Sequence, residues 1–237
     1  MDDDLASIWS HVRELRQSFL RALYVIIVGV AVSFFYYDSI IGFFTDTLTT
    51  PLVILSPLEG FLSAMKVCFL VGVVATSPLW IFFFLQFINP ALNLREKQLI
   101  WPFLGVSFVL ITLGFLFAFF ITIPAANQYL IAFNQTIGIN MWSLGLYLDY
   151  TLFLLLANAF AFELGAVGFF LVHLQLISAE QLIAKRRAAI VCSFIIGALL
   201  TPPDVLTQIM LAVPLIGLYE LIIIYGRFRH RKNCDSS

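Results

Sequence analysis

The sequence predicts an all-α polytopic membrane protein with six transmembrane helices and both chain ends in the cytoplasm. Of its 237 residues, 61% are hydrophobic and 11% are charged, and the mean hydropathy is +0.99. Soluble domains carry about 25% charged residues, so this chain cannot cover a water-exposed surface of its own size. The composition therefore argues against a soluble enzyme, a disordered chain or a nucleic-acid-binding protein.

The positions of the charges divide the chain into six apolar spans. These spans run approximately over residues 20–37, 67–90, 99–123, 150–173, 188–201 and 205–225. After the third span, Pro124 and the residues Asn127, Asn134 and Asn140 predict a loop. We expect one integral membrane domain over residues 1–237, ending in a basic cytoplasmic tail at 226–237.

The last two spans are predicted to form a helical hairpin. A single helix from Ala188 to Tyr225 would be roughly 57 Å long, almost twice the thickness of the hydrocarbon core. Pro202 and Pro203 break this run, because proline lacks an N–H group and clashes with the preceding turn. The two arms are short, and the fifth span is well below the ~20 residues that a crossing needs.

The basic residues predict the orientation. With six spans, twelve of the thirteen Lys and Arg residues lie on one side of the membrane, and Lys66 is the exception. Cytoplasmic loops carry the excess of Lys and Arg in membrane proteins. The N-terminus and the C-terminus are therefore both predicted to be cytoplasmic. The bases form four groups: Arg13, Arg16 and Arg21; Arg95 and Lys97; Lys185–Arg187; and Arg227, Arg229, Arg231 and Lys232.

Motifs for covalent or metal catalysis are missing from the sequence. The three cysteines and three histidines are widely spaced, and no HExxH, GxSxG or glycine-rich phosphate loop occurs. We therefore expect no metal, no cofactor and no enzymatic activity.

Glu163 is the first candidate functional residue, because it lies near the middle of the fourth span. An ionisable side chain at this depth is costly and suggests a functional site. It would face a polar cavity or a partner helix, or else be a neutral carboxylic acid that is hydrogen-bonded inside the bundle. Asn158 and Gln208 are candidate internal partners.

Four further carboxylates are candidates. Glu14 and Glu96 stand beside cytoplasmic bases, where they either form solvated charge pairs or together bind a guanidinium group. Asp204 follows the two prolines and is most simply the N-cap of the sixth helix. Glu220 either pairs with Arg227 or reaches the membrane interface.

Several blocks of the sequence resemble the twin-arginine protein translocase subunit TatC family. They occur in the family's order and cover nearly the whole chain, from about His11 to Arg227. Two differences from the family are Ser18, where a further Arg is usual, and Gly165, where a Pro is usual. The blocks are His11–Arg16, Phe87–Leu92 with Arg95–Lys97, Phe162-Glu163, Ile177–Arg187 and Thr201–Val205 with Gln208, Pro214 and Leu218–Glu220.

The resemblance implies a receptor in a bacterial cytoplasmic (inner) membrane. It would bind twin-arginine signal peptides of folded cargo and assemble, in an oligomeric complex, with single-span partners of the TatA and TatB type for export driven by the proton-motive force. By resemblance, Glu14 and Glu96 bind the arginines, and Arg16 and Phe87 belong to the same site. Glu163, Asp204, Gln208 and Glu220 are assigned to intramembrane and partner contacts.

A proton-coupled secondary transporter is the alternative function. In that case Glu163 would be the intramembrane proton site. Against it, the sequence contains no internal repeat and no pair of broken helices around a central site.

Overall fold

The computed structural model describes residues 2–46, 48, 50–88, 100–201 and 205–234, which are almost entirely helical. A π-helical turn, Ala118–Thr122, joins α5 to α6. Two short strands, β1 (Leu52–Val53) and β2 (Trp142–Ser143), pair in parallel. The helices are α1 (Asp2–Phe34), α2 (Tyr37–Thr45), α3 (Glu59–Ala75), α4 (Ser77–Ile88), α5 (Ile100–Phe117), α6 (Ile123–Gln135), α7 (Leu144–His173), α8 (Ala179–Ala184), α9 (Arg186–Leu200) and α10 (Val205–Cys234).

Four helical stretches of the described chain are long and apolar enough to cross a membrane. They are Leu15–Phe34, Ile100–Gln135, Leu144–His173 and Val205–Arg229. A fifth crossing results if the bent pair Glu59–Ala75 and Ser77–Phe87 counts as one span. The predicted multi-pass helical architecture is confirmed, whereas the count of six spans stays a prediction, because α9 has only 15 residues.

The second predicted span consists of two helices that meet at an angle of 57°. Pro78 is the second residue of α4, where proline is tolerated but cannot continue α3. The polar groups at the break find partners nearby: the Thr76 hydroxyl donates to the Gly72 carbonyl at 2.7 Å, and the Trp80 indole N–H donates to the Val73 carbonyl at 3.0 Å. A helix that is broken inside a lipid bilayer needs side-chain partners of this kind for its freed backbone groups.

The prediction that a loop begins at Pro124 is wrong. Pro124 is the second residue of α6, and the helical backbone passes through it and continues to Gln135. The π-helical turn just before it, with Thr122 fully buried, accommodates the change of register. The connecting segment therefore begins after Gln135.

The predicted break between the last two helices is confirmed, but the prediction that both arms are short is wrong for α10, which has 30 residues. Helix α9 ends at Leu200 and α10 begins at Val205, while residues 202–204 lie outside the described chain. The buried Thr201 hydroxyl donates to the Gly197 carbonyl at 2.8 Å. A Cβ at Gly197 would lie 3.0 Å from the Gln208 carbonyl oxygen, so the two arms of the hairpin approach closely at this glycine.

The chain forms two compact units. The first comprises Met1–Ile41 and Ala64–Phe108, and in it α1 packs along α4. The second comprises Gly42–Ser63 and Val109–Ser237, and in it α10 packs against both α7 and α9. The core of this helix packing contains Ala157, Ala161, Leu211 and Leu215, with Ile196 and Leu200 packed against it.

Candidate functional site

The predicted arginine-binding residues belong to the first unit. Glu14 is a helical residue of α1, and its side chain lies outside the described part of the chain, as does the whole of Glu96. Arg16, two residues further along α1, is exposed, and Phe87 near the end of α4 is half-buried.

Glu14 and the end of α4 lie towards the same end of the first unit. Helices α1 and α3 touch at Val30 and Gly72, where a Cβ on the glycine would lie 2.6 Å from the Val30 nitrogen. Helix α4 follows α3 in the chain and packs along α1. Because only four residues of α1 follow Val30, α4 must contact residues of α1 that precede Val30. Helices α1 and α4 therefore run in opposite directions. Ile88 follows Gly72 by sixteen positions, and Glu14 precedes Val30 by sixteen positions. Counted from the contact between Val30 and Gly72, Glu14 and the end of α4 therefore lie in the same direction.

Glu163 lies in the interior of α7 and is half-buried, with one carboxylate oxygen fully enclosed. The preceding residue, Phe162, is buried, and its ring packs against Phe117 with centroids 5.9 Å apart. The buried Asn158, a predicted partner of Glu163, donates its side-chain N–H to the Leu154 carbonyl at 2.9 Å. Asn158 thus uses this donor within its own helix.

Gln208 connects the two arms of the hairpin. Its side-chain amide donates to the Phe194 carbonyl of α9 at 3.0 Å. This bond ties the first turn of α10 to the last two turns of α9 and gives Gln208, the other predicted partner of Glu163, a role in the hairpin. Asp204, the predicted N-cap, lies outside the described residues.

Glu220 pairs with Arg186, the first residue of α9, at 2.5 Å. The sequence predicts Arg227 or the membrane interface for this carboxylate, and the structure gives it a base from the other arm of the hairpin instead. The neighbouring Tyr219 hydroxyl donates to the Leu182 carbonyl of α8 at 2.7 Å. These contacts join α8, α9 and α10 at the end of the hairpin that carries the basic residues.

Sequence reasoning missed the role of Glu59, the first residue of α3. One carboxylate oxygen accepts from the Ser143 hydroxyl and from the Gly145 N–H at 2.6 Å. The other accepts from the N–H groups of Leu55 at 2.6 Å and Ser56 at 3.1 Å. The carboxylate therefore joins the segment around β1 to the start of α7. Ser56 and Glu59 have the Ser-x-x-Glu spacing of a capping box, which could have indicated the local half of this arrangement.

Within the described ranges, no three His, Cys, Asp or Glu side chains come together as a metal site would require. The carboxylates whose contacts are described have hydrogen-bond donors or an arginine as partners. Glu59 binds a hydroxyl and three backbone N–H groups, and Glu220 binds a guanidinium group. Carboxylates in this chain thus accept charged and neutral donors alike.

Comparison with known proteins identifies the family. Residues 10–214 match the family model "TatC: Sec-independent protein translocase protein (TatC)". The Sec-independent protein translocase protein TatC of Aquifex aeolicus (strain VF5) is 34% identical over 229 residues, covering 94% of this chain and 95% of the relative. The TatC of Carboxydothermus hydrogenoformans is 30% identical over 232 residues, covering 96% of each chain.

A solved structure is similar over nearly the same length. The crystal structure described as "Twin Arginine Translocase Receptor- TatC" has a TM-score of 0.79 and 33% sequence identity. It covers 92% of this chain and 98% of its own. The similarity therefore includes both compact units rather than one helical hairpin.

Proposed function

The chain belongs to the TatC family of Sec-independent protein translocase proteins, and on this basis we propose that it is the receptor that binds twin-arginine signal peptides at the cytoplasmic membrane face. The observation that carries the proposal is the match, over 92% of the chain, to a structure described as a twin-arginine translocase receptor. The transporter alternative has no comparable support.

We propose that Glu14 and Glu96 bind the paired arginines. Glu14 lies in α1 towards the end at which α4 stops, and Glu96 follows Ile88, the last residue of α4, by eight residues in the sequence. This arrangement supports a site with both carboxylates, and it is compatible with contributions from the exposed Arg16 and the half-buried Phe87.

The chemistry of the ligand favours carboxylates fixed on a helix end. A guanidinium group is planar and binds a carboxylate through two parallel hydrogen bonds. A lysine ammonium has the same charge but lacks this geometry. A site built on two carboxylates should therefore distinguish an arginine pair from a lysine pair.

The second part of the proposal concerns assembly in the membrane. Glu163, with one enclosed carboxylate oxygen, and the hairpin residues Gln208, Glu220 and Asp204 would contact single-span TatA- and TatB-type helices in an oligomeric complex. Export of folded cargo would be driven by the proton-motive force. Helix α9 has 15 residues, or roughly 22 Å at ~1.5 Å per residue. A thinner bilayer beside this short helix would lower the barrier to export.

The proposed setting is the bacterial inner membrane, crossed six times with both chain ends in the cytoplasm. Helix α9 would be a short fifth crossing, and α10, with 30 residues, a sixth crossing of full length. The basic residues near the start of α1, at the start of α9 and at the end of α10 support this orientation.

Peptide binding by the purified full-length protein in nanodiscs tests the proposed function. A fluorescent signal peptide with two arginines is compared with the same peptide carrying two lysines. We expect the lysine peptide to bind about tenfold more weakly, a difference of about 1.4 kcal/mol, because bidentate pairing is lost. Equal affinities for the two peptides would contradict a carboxylate site for paired arginines.

A further inference from the structure

A groove of about 220 Å³ lies within the second unit, between α7, α9 and α10, and reaches α8. Its wall is almost entirely aliphatic, and at Gly165 and Gly168 α7 comes close to the Leu218 and Ile222 side chains of α10. Its two hydroxyl groups are already occupied: Ser193 donates to the Ala189 carbonyl at 2.9 Å, and Tyr219 donates to the Leu182 carbonyl at 2.7 Å. The groove therefore suits an alkyl chain better than a polar ligand.

Three consecutive basic residues stand at the α8 end of this groove. Leu182 and Ala189, which both line the groove, flank the segment Lys185–Arg187 in the sequence. Lys185 and Arg187 are exposed, and Arg186 is half-buried. None of the three lines the groove itself, and they adjoin its apolar wall through Leu182 and Ala189, so the two parts of the site differ sharply in polarity.

The Arg186 guanidinium is held by Glu220. One of its terminal nitrogens pairs with Glu220, but its Nε atom is buried and has no hydrogen-bond partner among the residues that the structure describes. A buried donor without an acceptor is rare and costly. Because this Nε atom is enclosed, a headgroup cannot reach it, but the single ion pair with Glu220 leaves the exposed Lys185 and Arg187 for an external anion.

We propose that the groove binds one acyl chain of an anionic phospholipid, whose phosphate lies against the exposed Lys185 and Arg187. The apolar wall accounts for the chain, and the cations at its end account for the phosphate. Basic pockets between transmembrane helices bind anionic headgroups in this way. The lipid site goes beyond the proposed receptor function and does not depend on signal-peptide binding.

Native mass spectrometry of the detergent-solubilised full-length protein tests the acyl-chain part of the site. Dioleoyl phosphatidylglycerol is compared with dioleoyl phosphatidylcholine and with glycerol phosphate, which has the headgroup chemistry without chains. We expect retention of phosphatidylglycerol alone. Ala189→Phe, which fills the groove, should weaken this binding about tenfold (about 1.4 kcal/mol), whereas Ala188→Phe, at the exposed neighbouring position, should not.

The phosphate part is tested with Arg187→Gln, which removes an exposed cation and leaves the Arg186–Glu220 pair intact. We expect phosphatidylglycerol binding to fall about fivefold, with phosphatidylcholine unaffected. Equal retention of the two lipids, or equal effects of Ala189→Phe and Ala188→Phe, would overturn the proposal.

Cys192 lines the groove and provides a readout that leaves the groove unaltered. In a Cys68→Ser, Cys234→Ser background, phosphatidylglycerol should slow alkylation of Cys192 by a membrane-permeant maleimide more than phosphatidylcholine does. This measurement tests lipid binding in the groove even if Ala189→Phe fails to fold. Protection by a co-purified single-span partner, with no effect of phosphatidylglycerol, would show that a protein helix occupies the groove and would refute the lipid site.

Discussion

Glu59 and Ser143 lie 84 residues apart in the sequence, and the Ser143 hydroxyl donates to the Glu59 carboxylate where β1 pairs with β2. The same carboxylate accepts from the Gly145 N–H in the first turn of α7. One side chain thus connects the start of α3, the segment around β1 and the start of α7. All of these residues belong to the second unit.

Glu59→Gln should lower the thermal unfolding midpoint of the purified protein. Each carboxylate oxygen accepts two hydrogen bonds, so an amide NH₂ in either position would face backbone N–H donors. Ser143→Ala removes one donor to Glu59 and the N-cap acceptor of the Leu146 N–H, but it brings no donor against another donor, so its effect should be smaller. Differential scanning fluorimetry checks the order, and an unfolding midpoint lowered more by Ser143→Ala than by Glu59→Gln would contradict this account.

Gly72→Ala should destabilise the first unit by about 1–3 kcal/mol, the usual cost of overpacking. The added Cβ would lie 2.6 Å from the backbone nitrogen of Val30, so α1 and α3 would have to separate. Gly105→Ala is the matched control, because nothing lies within 4 Å of its Cβ position. Denaturant unfolding of the two variants measures the difference. Equal stabilities would show that α1 and α3 are not in close contact at Gly72.

Glu163→Gln should keep most of the export activity, whereas Glu163→Leu should lower it about tenfold, equivalent to about 1.4 kcal/mol of lost partner contact. Glutamine retains hydrogen-bonding oxygen at this half-buried position, and leucine does not. Crosslinking to a TatA- or TatB-type partner, measured beside export of a folded cargo, distinguishes the two effects. Equal crosslinking and export in the two variants would reduce Glu163 to a packing residue.

The proposed topology predicts opposite accessibility of two engineered cysteines in a cysteine-free background. Ile139→Cys lies in the segment between α6 and β2, where the native side chain is 93% exposed, and should react with an impermeant maleimide added from outside. Ser236→Cys, beyond the basic end of α10, should react only after the membrane is disrupted, because Lys and Arg favour the cytoplasmic side. Labelling of Ser236→Cys in intact membranes would contradict the proposed orientation.

The sequence was most informative where backbone chemistry acts locally. The consecutive Pro202 and Pro203 predicted the break between α9 and α10, which the structure confirms. Pro124 misled, because the π-helical turn before it lets the helical backbone continue through a residue that has no N–H group. Pro78 indicates the bend between α3 and α4, but it lies inside an uncharged stretch of sequence that is typical of a single span.

The contacts between distant segments were beyond the reach of the sequence. The Ser56-to-Glu59 spacing indicates a local cap, but nothing in it names Ser143 or Gly145 as partners. Similarly, Glu220 had Arg227 as the nearer candidate in the sequence, and the hairpin brings Arg186 to it instead. The identity of such partners depends on how helices pack, which the spacing of charges does not determine.

Photo-crosslinking of a twin-arginine signal peptide to the Glu14→Ala, Glu96→Ala double variant tests the central claim most directly. The control is Glu180→Ala, which removes an exposed carboxylate from α8 in the second unit. If the two carboxylates bind the arginine pair, crosslinks are lost in the double variant and retained in Glu180→Ala, while both proteins insert and unfold like the wild type. Undiminished crosslinking in a folded double variant would contradict the account.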